Sequence, residues 1–140
     1  MDKKTVLFLC TGNSCRSQMA EGWLRHLGGD RFEAHSAGTR PEAVNPRAVK
    51  VMAEAGVDIS GQRSKPVNEY LGRNLDLLVT VCGGARESCP MFAGEVGRRR
   101  HWPLPDPAEA SGSEAQVLGV FRRVRDDIRR LVEDLVDEEG

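Results

Sequence analysis

Apolar and polar positions divide the chain into alternating strand-like and helix-like segments. Val6-Leu7-Phe8-Leu9-Cys10 is an unbroken apolar run closed by Thr11-Gly12-Asn13, as expected of a strand buried on both faces of a parallel sheet. From Ser17 to Leu27 the period lengthens, with Met19, Trp23 and Leu27 recurring until Gly28-Gly29 stops the helix. Phe32 to Ala37 predicts a second strand that ends at Gly38. Asn45 is placed to cap a second helix with Pro46 at its first position, and Val49, Met52 and Ala53 are expected on its inner face. Leu75 to Val81 predicts the third strand, running straight into Cys82, and Arg100 to Trp102 a short fourth. In the last helix Val117, Phe121, Val124, Ile128, Leu131 and Leu135 form an apolar stripe opposite Arg, Asp and Glu.

This order implies one α/β domain over residues 1–140, a small three-layer sandwich around a mainly parallel four-stranded sheet. Ligands of such sheets sit beyond the carboxyl ends of the strands, which is where Cys10 and Cys82 fall. Twenty Lys and Arg against 21 Asp and Glu leave a net charge of −1, which removes the bulk electrostatic case for a nucleic-acid partner. The apolar run at the N-terminus is too short for a secretory leader, and no run approaches the ~18 residues of a membrane span. The expectation is a cytoplasmic monomer without a membrane partner. In a reducing compartment Cys10, Cys15, Cys82 and Cys89 need a chemical role other than a secreted disulfide framework.

The segment Cys10-Thr11-Gly12-Asn13-Ser14-Cys15-Arg16-Ser17 lies between the first strand and the first helix. A strand–loop–helix turn of this length wraps backbone N–H groups around a tetrahedral oxyanion, with a helix N-terminus behind it. Gly12 is expected to adopt a conformation closed to other residues, and Asn13 to tolerate left-handed geometry. Arg16 offers a planar fork for two anion oxygens. A cysteine at the base of this cradle has its thiolate stabilised by the same dipoles, and Ser17 is placed to donate to its sulfur. Two plainer readings remain open, a buried strand-end cysteine and a zinc site. Against zinc, the gap of six residues between Cys82 and Cys89 is wide for a structural knuckle, and no His pair completes the set. A nucleotide P-loop is excluded, because G-x-x-x-x-G-K-[ST] does not occur.

The run from Cys10 to Gly22, with Ser36-Ala37-Gly38 and Asp106-Pro107-Ala108, resembles the thioredoxin-coupled arsenate reductases. Those enzymes share the low-molecular-weight protein tyrosine phosphatase fold. The resemblance implies an oxyanion loop over Thr11, Gly12, Asn13, Ser14, Cys15, Arg16 and Ser17. It implies Cys10 as nucleophile, Arg16 as clamp and Asp106 as general acid. It further implies a cascade: Cys10 attacks arsenate, Cys82 attacks the Cys10 sulfur to release arsenite, and Cys89 attacks Cys82. The resulting Cys82–Cys89 disulfide, expected to be exposed and labile, is recycled by thioredoxin. Phosphatases of this fold share the first three residues. Cys82 and Cys89, Gln18 where their pattern has proline, and Ala108 where they tend to place an aromatic residue favour a reductase with weak phosphatase side activity.

Some members of the family hold a potassium ion beside the loop, through residues matching Asn13, Glu21 and Ser36 and an aspartate. Lys65 stands at or next to the place of that aspartate, in Ser64-Lys65-Pro66. An ammonium there would repel a metal cation, so neither potassium nor another cofactor is expected. A Lys65 pointing into solvent is the plainer alternative. Cys15 reads as a small filler of the loop, and His35 and His101 as structural or solvent-facing. Arg98-Arg99-Arg100 reads as a surface run or, less simply, as a guide for anions. Pro103-Leu104-Pro105 is expected to stiffen the chain ahead of Asp106.

Overall fold

The computed structural model describes residues 3–82, 92 and 95–140. Strands β1 (Lys4–Cys10), β2 (Phe32–Gly38), β3 (Leu75–Thr80) and β4 (Val96–His101) form one sheet in the order β2-β1-β3-β4, with every pair parallel. β1 is central, with Leu9 paired to Ala37 on one side and Thr80 on the other. Its apolar run has a partner on each face. Val6 and Phe8 join the core made with helices α1 (Arg16–Gly28), α2 (Pro46–Glu54) and α3 (Glu114–Glu139). Leu7 and Leu9 pack with Leu78, Tyr70 and Phe92 on the opposite face. Tyr70 comes from a single 3-10 turn, Val67–Tyr70, so among the described residues an irregular segment supplies the third layer.

Local chemistry sets the helix starts. Asn45 accepts from Arg47 N–H at 2.9 Å, with Pro46 at the first position of α2. Ser113 and Gln116 form a reciprocal capping box at the start of α3. Trp23 ties α1 to α3 by donating from Nε1 to Arg125 O at 3.2 Å.

Three details differ from the sequence reading. The inner face of α2 is Ala48, Val51 and Met52, while Ala53 is exposed and Val49 half-buried. Small apolar residues surround this short helix, so packing against α1 and α3 chooses the face. In α3 Val132 is fully buried and Leu131 is not, because a helix of 26 residues keeps a 3.6-residue period that a strict three–four alternation leaves behind. β4 spans Val96–His101 and includes the arginine run. It is an edge strand, and it carries no apolar alternation because its outward side chains pair with charge. Arg98 Nη1 donates to both Glu139 oxygens at 3.0 Å, and Arg100 Nη2 lies 2.7 Å from Glu138 Oε2. Among the described residues no helix is long and apolar enough to cross a membrane.

Candidate active site

Residues Thr11 to Cys15 turn between the end of β1 and the start of α1. Four consecutive carbonyls of this turn are held by donors outside it. Thr11 O accepts from Arg40 N–H at 2.9 Å, Gly12 O from Glu42 N–H at 2.8 Å and Ser14 O from Asn45 N–H at 3.0 Å. Asn13 O accepts from Gln18 Nε2 at 2.9 Å and from Ser64 Oγ at 2.7 Å. In a planar trans peptide the N–H points opposite to the C=O. Anchoring these carbonyls outward therefore turns the N–H groups of Gly12, Asn13, Ser14 and Cys15 toward the inside of the loop. Asn13 N–H shows that direction, donating to Cys10 Sγ at 3.1 Å.

Asn13, at φ 49°, carries the left-handed turn, and Gly12 does not have a positive φ. The expectation for Gly12 is thus corrected. A Cβ at Gly12 would meet only ordinary contacts, with Ser14 Oγ at 3.5 Å and Glu42 Oε2 at 3.7 Å. Asparagine tolerates this geometry because its side chain is bonded locally. Asn13 Nδ2 donates to Ser17 Oγ at 2.7 Å, while Lys65 N–H donates to Asn13 Oδ1 at 2.9 Å. Ser17 Oγ accepts that bond and lies 2.9 Å from Cys10 Sγ, within hydrogen-bond distance of the sulfur. Cys10, with 2% of its surface exposed, has two hydrogen-bond partners on its sulfur.

Arg16 is buried and donates from Nη1 to Leu104 O at 3.0 Å, with Nη2 3.8 Å from Asp106 Oδ2. Asp106 Oδ1 accepts from Ala108 N–H at 3.0 Å and caps a 3-10 turn, Pro107–Glu109. The proline-flanked Leu104 thus fixes Arg16 and the carboxylate side by side. Cys15 is also buried in the loop, and that burial pushes its thiol up to about 12, against the pull of the Ser14 hydroxyl.

Val81 N–H donates to Leu9 O at 3.0 Å, so Cys82 and Cys10 directly follow a bonded pair on neighbouring strands. Cys82 is fully buried and disulfide-bonded, whereas Cys10 and Cys15 are free thiols. Exposure was expected of the redox-active disulfide and is not found at Cys82. Cys89 lies outside the described residues.

Behind the loop, Glu21 Oε1 accepts from Ser36 Oγ at 2.7 Å and from Lys65 Nζ at 3.4 Å. Lys65 Nζ also donates to Arg63 O at 2.9 Å, and Arg25 Nη2 reaches Glu21 Oε2 at 3.2 Å. Lys65 is buried, so the solvent-facing alternative falls away. Asn13, Glu21, Ser36 and Lys65 are brought together as the sequence suggested. His35 sits between Glu33 and Tyr70, and His101 bonds Thr80 Oγ1 at 2.7 Å.

The profile of the family described as low molecular weight phosphotyrosine protein phosphatase matches residues 5–139. This chain belongs to that family. Within it, an arsenate reductase of Bacillus licheniformis is 51% identical over 128 residues, which are 91% of this chain and 91% of that one. A solved arsenate reductase in its phosphate-binding state superposes with a TM-score of 0.82 at 36% identity, covering 98% of this chain and 99% of the other. A thioredoxin-dependent arsenate reductase of Corynebacterium glutamicum gives a TM-score of 0.66 at 27% identity, over 99% of this chain and 64% of that one.

The family motif does not include every support of the loop in this chain. The braces from Arg40, Glu42 and Asn45 act through backbone N–H groups, which any non-proline residue provides, so no sequence signal marks them. Gln18 did carry a signal. A glutamine beside Met19 and Ala20, in the first turn of a helix with its apolar residues inward, is wholly buried and needs polar partners.

Proposed function

We propose that this protein reduces arsenate to arsenite through a Cys10–Cys82–Cys89 thiol–disulfide cascade, with thioredoxin as the reductant. The anchored loop N–H groups and Arg16 hold the oxyanion. The Cys10 thiolate attacks As(V), and Asp106 protonates the departing oxygen, which leaves as water. Cys82 as thiolate then attacks Cys10 Sγ. The S–As bonding pair goes to arsenic, which departs as As(III), and a Cys10–Cys82 disulfide remains. Cys89 attacks Cys82, freeing Cys10, and the dithiol of thioredoxin reduces the Cys82–Cys89 bond. Two electrons enter and two reach arsenic. Burial of Cys82 directs thioredoxin to the Cys89 sulfur.

The observation that carries this reading is the placement of Cys10 and Cys82 just beyond the bonded pair Leu9 and Val81 on adjacent strand ends. Hydrolysis of a phosphate ester has no use for a second thiol there. The arsenate reductases among the relatives, one of them thioredoxin-dependent, support the same assignment. The test is arsenate-dependent NADPH oxidation with thioredoxin and thioredoxin reductase, beside p-nitrophenyl phosphate hydrolysis. Cys10→Ser should abolish both activities. Cys82→Ser or Cys89→Ser should abolish arsenate turnover while a weak phosphatase activity survives. Multiple turnover of arsenate by Cys89→Ser would sink the cascade.

Lys65, together with Arg25, supplies positive charge beside Glu21, and the enzyme works without potassium. The contact of Lys65 Nζ with Glu21 Oε1 and Arg63 O supports this, since an ammonium at those oxygens repels a second cation. Rates in sodium and potassium buffers should agree, and Lys65→Asp should acquire a potassium dependence. Marked activation of the natural enzyme by potassium would refute the substitution.

A further inference from the structure

Gln18 is wholly buried in the first turn of α1, where an unpaired carboxamide would be costly. Its Nε2 donates to Asn13 O at 2.9 Å and to Arg63 O at 3.0 Å, and its Oε1 accepts from Gln62 Nε2 at 2.8 Å. The flipped amide would set Oε1 against two carbonyl oxygens, so a single orientation satisfies the site. Gln62 is held in turn, its Oε1 accepting from Arg25 Nη1 at 3.1 Å.

Among the described residues, Asn13 is the non-glycine residue with a positive φ. A residue in that region stays there when its surroundings over-determine it. Gln18 and Ser64 grip its carbonyl, and Lys65 N–H grips its Oδ1. Fixing Asn13 fixes both of its own donors, the N–H on Cys10 Sγ and Nδ2 on Ser17 Oγ. Ser17 Oγ in turn lies 2.9 Å from Cys10 Sγ, so its hydroxyl donates to the sulfur once Cys10 is a thiolate, which can only accept.

We infer that Gln18 is a positioning residue for the Cys10 nucleophile: its carboxamide clamps Asn13 in the left-handed conformation that aims the Asn13 N–H and, through Ser17, a hydroxyl at the sulfur. Gln18 acts through Asn13. Ser64 grips the same carbonyl, so losing Gln18 weakens the clamp without abolishing it. The inference deepens the proposed arsenate reduction and rests on it for its kinetic part, but the reactivity of Cys10 can be read without arsenate.

The test is Gln18→Met, which keeps the length of the side chain and its helix preference and removes its hydrogen bonds. Two quantities are measured: the rate of Cys10 alkylation by iodoacetamide at pH 7, followed by mass spectrometry, and the steady-state kinetics with arsenate. A lost hydrogen bond of ordinary strength predicts alkylation about two- to tenfold slower and kcat lowered by a similar factor. KM for arsenate should stay within about twofold, since Arg16 and the loop N–H groups remain. A folded Gln18→Met enzyme with an unchanged alkylation rate overturns the inference, and so does a raised KM with kcat intact. If Gln18→Met does not fold, Gln62→Met decides. That half-buried position frees Gln18 Oε1, the Gln18 carbonyl and Arg25 Nη1 while leaving Gln18 Nε2 on Asn13 O, and a smaller slowing of alkylation supports the clamp while an unchanged rate overturns it. A wild-type protein that fails to reduce arsenate would sink the functional reading and leave the alkylation result to judge Gln18.

Discussion

Cys10 and Cys15 sit in one loop and meet opposite surroundings. Cys10 has the Asn13 N–H and the Ser17 hydroxyl on its sulfur, whereas Cys15 is buried with Asp106 and Cys10 adding to the cost of its charge. The result is one thiol with two hydrogen-bond partners on its sulfur and one kept protonated at neutral pH. The second has a consequence for stability. Burial raises Cys15 from 9.0 to about 12, so the folded state keeps a proton that the unfolded state releases earlier. That contribution is intact below about 9 and is lost as pH rises toward 12. Tyr70, raised from 10.0 to about 12 mainly by burial, adds to the loss at the upper part of the same window. Urea unfolding between pH 8 and 11 should show stability falling with pH, and Cys15→Ala should flatten part of the fall. An identical pH slope in the variant would contradict the assignment.

Between elements, the end of β2 presses on the loop from Cys10 to Arg16. A Cβ at Gly38 would come within 2.5 Å of Thr11 O and 3.0 Å of Asn13 N, both backbone atoms that cannot swing aside. Gly38 N–H also donates to Lys65 O at 2.9 Å, so the strand end is wedged between the loop and the segment that holds Asn13. Close backbone approach, rather than a special φ, is what requires glycine here. Sulfate at about tens of millimolar should raise the Tm of the natural protein by occupying the loop. Gly38→Ala should shrink that rise and increase KM for arsenate. Gly61→Ala, with nothing within 4 Å of its added Cβ, should leave both unchanged. No response of the natural protein to sulfate would mean that the cradle is not preformed.

At the scale of the whole molecule, the sequence by itself determined the alternation of strands and helices, the central buried strand, the capped start of α2, and the cysteine–arginine loop at a strand end. Those features are written in side-chain periodicity, in capping chemistry and in residue types whose reactivity is their own. The family resemblance also pointed to Lys65 near Asn13 and Glu21, because a lysine stands where some relatives have an aspartate that binds a cation. The tertiary structure decided the rest. It carried β4 back from Arg100 to Val96, across Arg98 and Arg99, because the partners that neutralise Arg98 and Arg100 arrive from the far end of α3. It moved the left-handed turn from Gly12 to Asn13, since three distant donors hold that asparagine where glycine would need no help. It also chose Arg40, Glu42 and Asn45 to turn the loop carbonyls outward. A backbone N–H is nearly the same group at every non-proline position, so the sequence carries no mark of which one will brace a distant carbonyl, and only the folded chain makes that choice.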